Sequence, residues 1–149
     1  MQIQNILVPF DFSEYSEKAC SWAVAMAEKW GAHILLLHVV PRPSYPPTLM
    51  GTHFHAADFE AGLRAEAEER ARAFIEKIPH ERVPIDVRVM IGEPSWDICK
   101  IAEEEQYDMV VMGSHGRTGL GHMLLGSVAE RVVRLSPCPV LVVGKKAAA

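Results

Sequence analysis

The sequence predicts an α/β protein with a doubly wound parallel sheet, and two observations support this prediction. Five short apolar segments alternate with segments of helical periodicity along the chain. Most of these apolar segments are nearly continuous, which is typical of strands that a parallel sheet buries on both faces. No second core or internal repeat is visible, so residues 1–149 are expected to form a single domain.

The first part of the chain predicts a strand, a helix and a second strand. Residues 5–10 form the first strand, after which Asp11 or Ser13 is expected to cap the helix. Gly31 ends that helix, and residues 33–40 form the second strand. Apolar residues at helical spacing predict one buried face of this helix, which includes two of the three tryptophans of the chain: Ala19, Trp22, Ala23, Met26, Ala27 and Trp30.

A long loop and a second helix follow. The segment from Pro41 to Ala57 is rich in proline, and loops of this length are usually functional. Residues 59–78 show the period of an amphipathic helix. In residues 85–91 the charged Asp86 and Arg88 alternate with apolar residues, which predicts a half-exposed strand at an edge of the sheet.

The last part of the chain contains two helices and two strands. Pro94 is expected in the first turn of the third helix. Residues 108–112 predict the fourth strand, residues 127–135 a helix, and the apolar segment from Val140 to Val143 the closing strand.

Composition excludes several classes of function. The net charge is −4 without a run of Lys or Arg, which argues against a nucleic-acid-binding protein. No apolar segment is long enough to cross a membrane, and the N-terminus lacks a secretion signal. The three cysteines are far apart and lack metal-ligand spacing, so we expect reduced thiols and a cytoplasmic location.

A glycine-rich loop follows the fourth strand. It contains Gly113, Gly116, Gly119 and Gly121, and Gly126 precedes the next helix. Glycines allow backbone N–H groups to approach an anion closely, and a helix N-terminus adds unpaired N–H groups, so this loop predicts a phosphate site.

Two common phosphate motifs do not fit this loop. His122 stands where a P-loop requires lysine. Leu124 occupies the position of the third glycine of a dinucleotide fingerprint. Neither motif therefore describes the site.

The spacing Gly113-x2-Gly116-x9-Gly126-Ser127 resembles the signature of the ATP-binding universal stress proteins. The segments ILVPFDFS, LLHVV and SPCPVLVV also resemble the first, second and closing strands of that family. The resemblance implies a five-stranded parallel sheet in the order 3-2-1-4-5 with helices on both faces. Because ligands bind where the winding of such a sheet reverses, the ends of the first and fourth strands are expected to form the site.

The resemblance also implies a site for ATP with Mg²⁺. Adenine would lie near Pro9 and Val39, the phosphates over the glycine loop, and Asp11 at the ribose or the magnesium ion. The implied nucleotide-binding residues are Pro9, Asp11, Val39, Met112, Gly113, Ser114, Gly116, Arg117, Gly126, Ser127 and Val128.

Several of these residues have simpler interpretations that the sequence leaves open. Asp11 and Ser127 could act only as helix caps, and Arg117 could be solvated. His115 is expected to be a solvated loop residue rather than a catalytic base. The pair His53 and His55 has metal-binding spacing but lacks a further ligand set, so no metal site is expected there.

The leading functional hypothesis is a nucleotide-holding regulatory protein with at most slow ATP hydrolysis. The alternative is a nucleotide-independent dimeric interaction module of the same fold. A kinase or ligase is disfavoured because the chain lacks a Walker lysine and a second substrate domain. In either leading case the segment from Val140 to Val143 would be an apolar sheet edge, which predicts a homodimer. The segment from Pro41 to Ala57 is expected to cover the adenine end of the site.

Overall fold

The computed structural model describes residues 2–49, 51–116 and 125–144. Within these residues the chain forms one parallel sheet in the order β3-β2-β1-β4-β5, which confirms the predicted fold class and strand order. The strands are β1 (Asn5–Pro9), β2 (His33–Pro41), β3 (Ile85–Gly92), β4 (Met109–Gly113) and β5 (Val140–Val143).

Helices cover both faces of the sheet. In the described part of the chain they are α1 (Glu14–Trp30), α2 (Ala56–Ile75), α3 (Pro94–Glu104) and α4 (Ser127–Leu135). The helix expected over residues 59–78 therefore begins and ends earlier, and Ile78 is buried in the turn that follows it. None of the helices within the described ranges combines the length and apolar character needed to span a bilayer.

Two apolar clusters hold these layers together. On one face, α1 and α2 pack on side chains that include Ile6, Val8, Ile34, Leu36 and Val111. On the other face, α3 and α4 pack on side chains that include Leu7, Leu35, Leu37, Val110 and Met112. Adjacent residues of each central strand thus point to opposite clusters, as expected for strands that are covered on both faces.

The start of α1 shows which of the two expected residues is the cap. Ser13 is the N-cap, since its Oγ accepts a hydrogen bond from the backbone N–H of Ser16 at 3.2 Å. Asp11 stabilises the preceding turn, because its Oδ1 accepts from the N–H of Ser13 at 3.1 Å and from the hydroxyl of Ser16 at 2.6 Å. Asp11 is therefore part of the turn without being the cap.

The prediction that Trp22 and Trp30 belong to the core is wrong. Trp22 is 50% exposed and Trp30 is 38% exposed. The face of α1 that contacts the sheet consists of small and medium side chains, so the helix approaches the sheet closely and the two indoles lie along its flank. The buried residues of α1 are Ser16, Ala19, Cys20, Ala23, Val24 and Ala27.

Candidate functional site

A cleft opens at the carboxyl ends of β1 and β4. The sheet connections leave β1 in opposite directions at this point, because β1 is flanked by β2 on one side and by β4 on the other. Parallel sheets bind ligands at such a reversal. The cleft has a volume of about 550 Å³, within the usual range for small-molecule sites.

Most of the residues predicted for the site line this cleft. They are Pro9, Asp11, Val39, Met112, Gly113, Gly116, Gly126, Ser127 and Val128. Ser114 is buried beside the wall, where its hydroxyl lies 3.0 Å from Nδ1 of His115. Arg117 lies outside the described residues. The structure thus brings together strand ends that are far apart in the sequence.

Gly113 allows β4 to end directly against α1. A Cβ atom at this position would lie 2.7 Å from Cβ and 3.0 Å from the carbonyl carbon of Tyr15. Such distances are far inside van der Waals contact, and backbone atoms of a helix cannot easily move away. Only glycine therefore fits here without displacing α1.

Gly116 lies against the carboxylate of Asp11. A Cβ atom on Gly116 would be 2.7 Å from Oδ2 of Asp11, the oxygen that is not part of the turn before α1. The turn after β1 and the loop after β4 therefore meet in the cleft, as the strand order requires.

Gly126 closes the base of the glycine loop and begins α4. Its N–H donates to the carbonyl of Ser114 at 2.7 Å. Gly126 is the N-cap and makes no side-chain cap bond, so the interpretation of Ser127 as the cap is wrong: Ser127 is the first helical residue. Because the first residues of α4 line the cleft, their unpaired N–H groups and the positive end of the helix dipole face it.

The backbone of β2 offers a donor and an acceptor at the other end of the cleft. The ladder between β1 and β2 ends at the pair Pro9 and Leu37, after which the N–H of Phe10 donates to the carbonyl of Leu37 at 3.0 Å. Strand residues two apart direct their N–H and C=O groups to the same side. Val39 is two residues after Leu37, so its N–H and C=O groups point to the same side as those of Leu37. Because the β1 ladder has ended there, these two groups of Val39 face the cleft.

Helix α2 forms a wall that sequence reasoning missed. Leu63, Glu66, Ala67 and Arg70 line the cleft from this side. The guanidinium carbon of Arg70 lies 4.1 Å from the centre of the Phe12 ring. Charged residues on a helix are normally solvated. Nothing in the sequence therefore distinguished Glu66 and Arg70 from the other charged residues of α2.

Two histidines lie near the floor of the cleft. His38 is buried, and its Nδ1 donates to the carbonyl of Phe10 at 2.8 Å. His115 is partly buried, and its ring lies 5.3 Å from that of Tyr15. His115 also lines the cleft, so it is more enclosed than the solvated loop residue that was expected.

The described part of the long loop is folded onto α2. The rings of Tyr45 and Phe54 lie 5.2 Å apart, and both contact Phe59 of α2. The hydroxyl of Tyr45 donates to Glu60 at 3.2 Å. Within the described residues of this loop, only Pro41 lines the cleft, so its role as a cover for the adenine end stays a prediction.

No group of three or more His, Cys, Asp or Glu side chains suited to a metal ion occurs among the residues described by the structure. His53 and His55 are both exposed. Asp11 is the carboxylate beside the glycine loop, and one carboxylate suits a magnesium ion that a nucleotide holds mainly through its phosphates.

Comparison with known proteins agrees with this fold. The model of the Universal stress protein family matches residues 2–144. The chain is 35% identical to universal stress protein MJ0577 of Methanocaldococcus jannaschii, with 96% of each chain covered. It is 36% identical to universal stress protein G of Escherichia coli, with 94% of this chain and 98% of that protein covered.

Solved structures give the same result. The structure of MJ0577 superposes on this chain with a TM-score of 0.83 at 32% identity. The match covers 99% of this chain and 100% of MJ0577. A universal stress protein solved in complex with cAMP has a TM-score of 0.61 at 26% identity, covering 98% of this chain and 100% of that one. The fold, the match over residues 2–144 and these identities show that the chain belongs to the universal stress protein family.

Proposed function

We propose that this protein binds ATP in the cleft at the ends of β1 and β4, and that it acts as a nucleotide-holding regulatory protein. The observation that carries the proposal is the convergence of Gly113, Gly116 and the uncapped N-terminus of α4 on one cleft. Such an arrangement presents backbone N–H groups to an anion at close range. In the sequence it has the glycine spacing of the ATP-binding members of the family.

The phosphates would lie at the glycine end. The N–H groups of Ser127 and Val128 come first in α4 and lack partners within the helix, so they are suited to phosphate oxygens. Arg117, which follows Gly116 in the sequence, would add a cation there. Ser114, buried beneath the loop, would contribute by holding His115, since its own N–H already donates to the carbonyl of Val143 at 2.9 Å.

Adenine would lie at the β2 end, against Pro9, Met112 and the backbone of Val39. The Val39 N–H and C=O match an acceptor and a donor on adjacent atoms of a base edge. Adenine carries this pair at N1 and the 6-amino group, whereas guanine has an acceptor at O6. The relative solved with cAMP supports an adenine nucleotide in this fold.

Asp11 would contact the ribose hydroxyls or a magnesium ion carried by the phosphates. Its Oδ2 lies next to Gly116, at the junction of the adenine and phosphate ends. We propose at most slow hydrolysis. Among the described residues, Asp11 and His115 are titratable side chains at the glycine loop, and both are already engaged, with Ser13 and Ser16 and with Ser114 respectively, so neither is placed as a dedicated general base.

Two measurements test the proposal. Mass spectrometry of small molecules released from the denatured protein should find an adenine nucleotide. Calorimetry with Mg-ATP should show binding that Gly126→Val abolishes, because a Cβ at Gly126 would lie 3.3 Å from Cα of His115 and 3.4 Å from the carbonyl oxygen of Ser114.

The matched control is Gly62→Ala in α2, where an added Cβ meets nothing within 4 Å. The φ angle of Gly126 is −68°, so valine is not strained by the backbone itself, and circular dichroism should show a folded variant. A folded Gly126→Val protein that binds ATP like wild type contradicts the proposal.

A second candidate function is a dimeric interaction module, and the two sheet edges favour a dimer through β5. The edge strand β3 carries Asp86 and Arg88, charges that protect an edge against pairing. The edge strand β5 is wholly apolar, with the sequence VLVV. We propose that two copies pair through β5 around a twofold axis.

Sedimentation should find a wild-type dimer that Leu141→Lys or Val142→Lys converts to monomer. Val87→Lys, on the exposed face of the opposite edge strand, should leave the dimer intact. A wild-type monomer at micromolar concentration would exclude the β5 interface. A dimer without bound nucleotide would favour the interaction module over the ATP-binding protein.

A further inference from the structure

We propose that Arg70 of α2 contacts the phosphates of the bound nucleotide and that the ring of Phe12 holds it in place for this purpose. The inference rests on the proposed function and adds a cationic residue to the site from a helix that the glycine signature does not include. The ligand class that it selects is a phosphorylated adenine nucleoside.

The first observation is the placement of Arg70. Its side chain lines the cleft, and its guanidinium lies over the face of the Phe12 ring at 4.1 Å from the ring centre. Within the described ranges, the ion pairs that involve arginine are made by Arg64, Arg88, Arg131 and Arg134. Arg70 is not among them, so no carboxylate in that part of the chain forms an ion pair with it.

The second observation is the backbone of Phe12. Its φ angle is 67°, a left-handed conformation that bulky residues rarely adopt. Surrounding rings fix it there: Phe10 at 5.2 Å, His38 at 4.5 Å and Phe74 at 5.9 Å between centres. Strained backbone of this kind persists where the surrounding structure enforces it, and it is concentrated at functional sites. Here its effect is to present the ring as a rigid platform beside the cleft.

The third observation is the connection between Phe12 and the glycine loop through Asp11. Phe12 directly follows Asp11, whose Oδ2 lies against Gly116. The Phe12 ring and the guanidinium above it are therefore attached to the β1 end that meets the glycine loop. Arg70 and the glycine loop line the same cleft, so a phosphate held by that loop would share the cleft with the guanidinium.

The chemistry of a stacked guanidinium suits this position. Stacking occupies the face of the group and leaves its N–H donors, which lie in the plane, directed outward at the edge. Two of them can pair with two oxygens of one phosphate. Because the ring already restricts the side chain, less conformational entropy is lost when the phosphate binds.

The test compares affinities for adenosine, AMP, ADP and ATP, measured by calorimetry on full-length protein. Arg70→Met keeps the apolar contact with Phe12 but removes the charge. We expect it to weaken binding of ATP by about 10- to 100-fold, the range for loss of a charge-assisted contact, and to leave adenosine unchanged. Arg70→Lys should recover part of the loss, since the charge returns without the planar fork.

The matched control is Arg72→Met, a charge removal on the same helix at a residue outside the cleft wall. It should change the affinity for ATP by less than about twofold, the size of a screened distant charge. Phe12→Leu, which removes the platform, should reproduce part of the Arg70→Met loss for ATP.

The outcomes separate the inference from the proposed function. Wild-type protein that binds ATP while Arg70→Met binds it equally well contradicts the inference alone. The same holds if Arg70→Met weakens adenosine and ATP by the same factor, because the residue then acts on the nucleoside or on the fold. Wild-type protein that binds none of the four ligands contradicts the proposed function and the inference together.

Discussion

The glycine end of the cleft and its α2 wall present two different kinds of surface to a ligand. At the glycine end the surface is backbone, and added side chains would collide with Tyr15, Asp11 or His115. At the α2 wall the surface is formed by long charged side chains, Glu66 and Arg70, on an exposed helix face. The first region should be sensitive to shape and the second to charge.

The largest effect is expected for Gly113→Ala, which changes shape where β4 packs against the backbone of α1. Because the added Cβ would lie 2.7 Å from Cβ of Tyr15, α1 must move away from β4. We expect the free energy of unfolding to fall by about 1–3 kcal/mol and ATP binding to be lost. Urea denaturation followed by circular dichroism measures the first, and calorimetry the second.

Gly62→Ala is the control for Gly113→Ala. An added methyl group is unhindered at this α2 position, and alanine should stabilise the helix by about 0.5–1 kcal/mol. If Gly113→Ala is as stable as wild type, the close packing of β4 on α1 is not a constraint.

Gly116→Ala should separate binding from folding. The added Cβ meets Oδ2 of Asp11 at 2.7 Å, and a carboxylate can rotate away where a helix backbone cannot. We expect stability to change by less than about 1 kcal/mol, whereas affinity for Mg-ATP falls about 10- to 100-fold as Asp11 leaves its position. Calorimetry with Gly144→Ala, an unhindered glycine, as the reference would show whether the loss is specific to the site.

Ser127→Ala should have a smaller effect, and only on binding. Because Gly126 is the N-cap and Ser127 is the first helical residue, alanine there should leave the melting temperature unchanged. Loss of one hydroxyl hydrogen bond to a phosphate would lower affinity for ATP by about fivefold, equivalent to about 1 kcal/mol. A loss of stability of about 1 kcal/mol would instead show that the hydroxyl caps α4.

Glu66→Gln should produce the smallest change, with the opposite sign. Removing a negative charge from the α2 wall lowers its repulsion of the phosphates, and a charge about 4 Å away in water contributes about 1 kcal/mol. We expect ATP to bind about two- to fivefold more tightly at low salt, with adenosine unaffected. The gain should disappear at high ionic strength. Weaker ATP binding would mean that Glu66 contacts the ligand directly.

The same contrast explains what the sequence could predict. A backbone site that excludes Cβ atoms must place glycines at fixed positions, so Gly113, Gly116 and Gly126 were visible in the spacing. The apolar strands likewise indicated a parallel sheet, and its order followed from the family resemblance and is confirmed.

The α2 wall left no comparable pattern. Glu66 and Arg70 look like any solvated charges until the fold places α2 beside β2. The left-handed conformation of Phe12 could not be predicted from the sequence either, because this conformation is normally adopted by Gly or Asn. The helical periodicity of α1 predicted a buried face that is too wide. Periodicity does not show how closely a helix packs on the sheet, and the close packing of α1 favours alanine over Trp22 and Trp30.

The hydrogen bond between the N–H of Gly126 and the carbonyl of Ser114 has a consequence for how this family can diversify. This bond joins the residue that follows β4 to the residue that begins α4, so the sheet does not depend on the length of the segment between these two residues. Doubling the length of such a closed segment costs only about 0.6 kcal/mol in closure entropy. Insertions and exchanges there could therefore change ligand preference or create a surface for another protein while the scaffold stays intact.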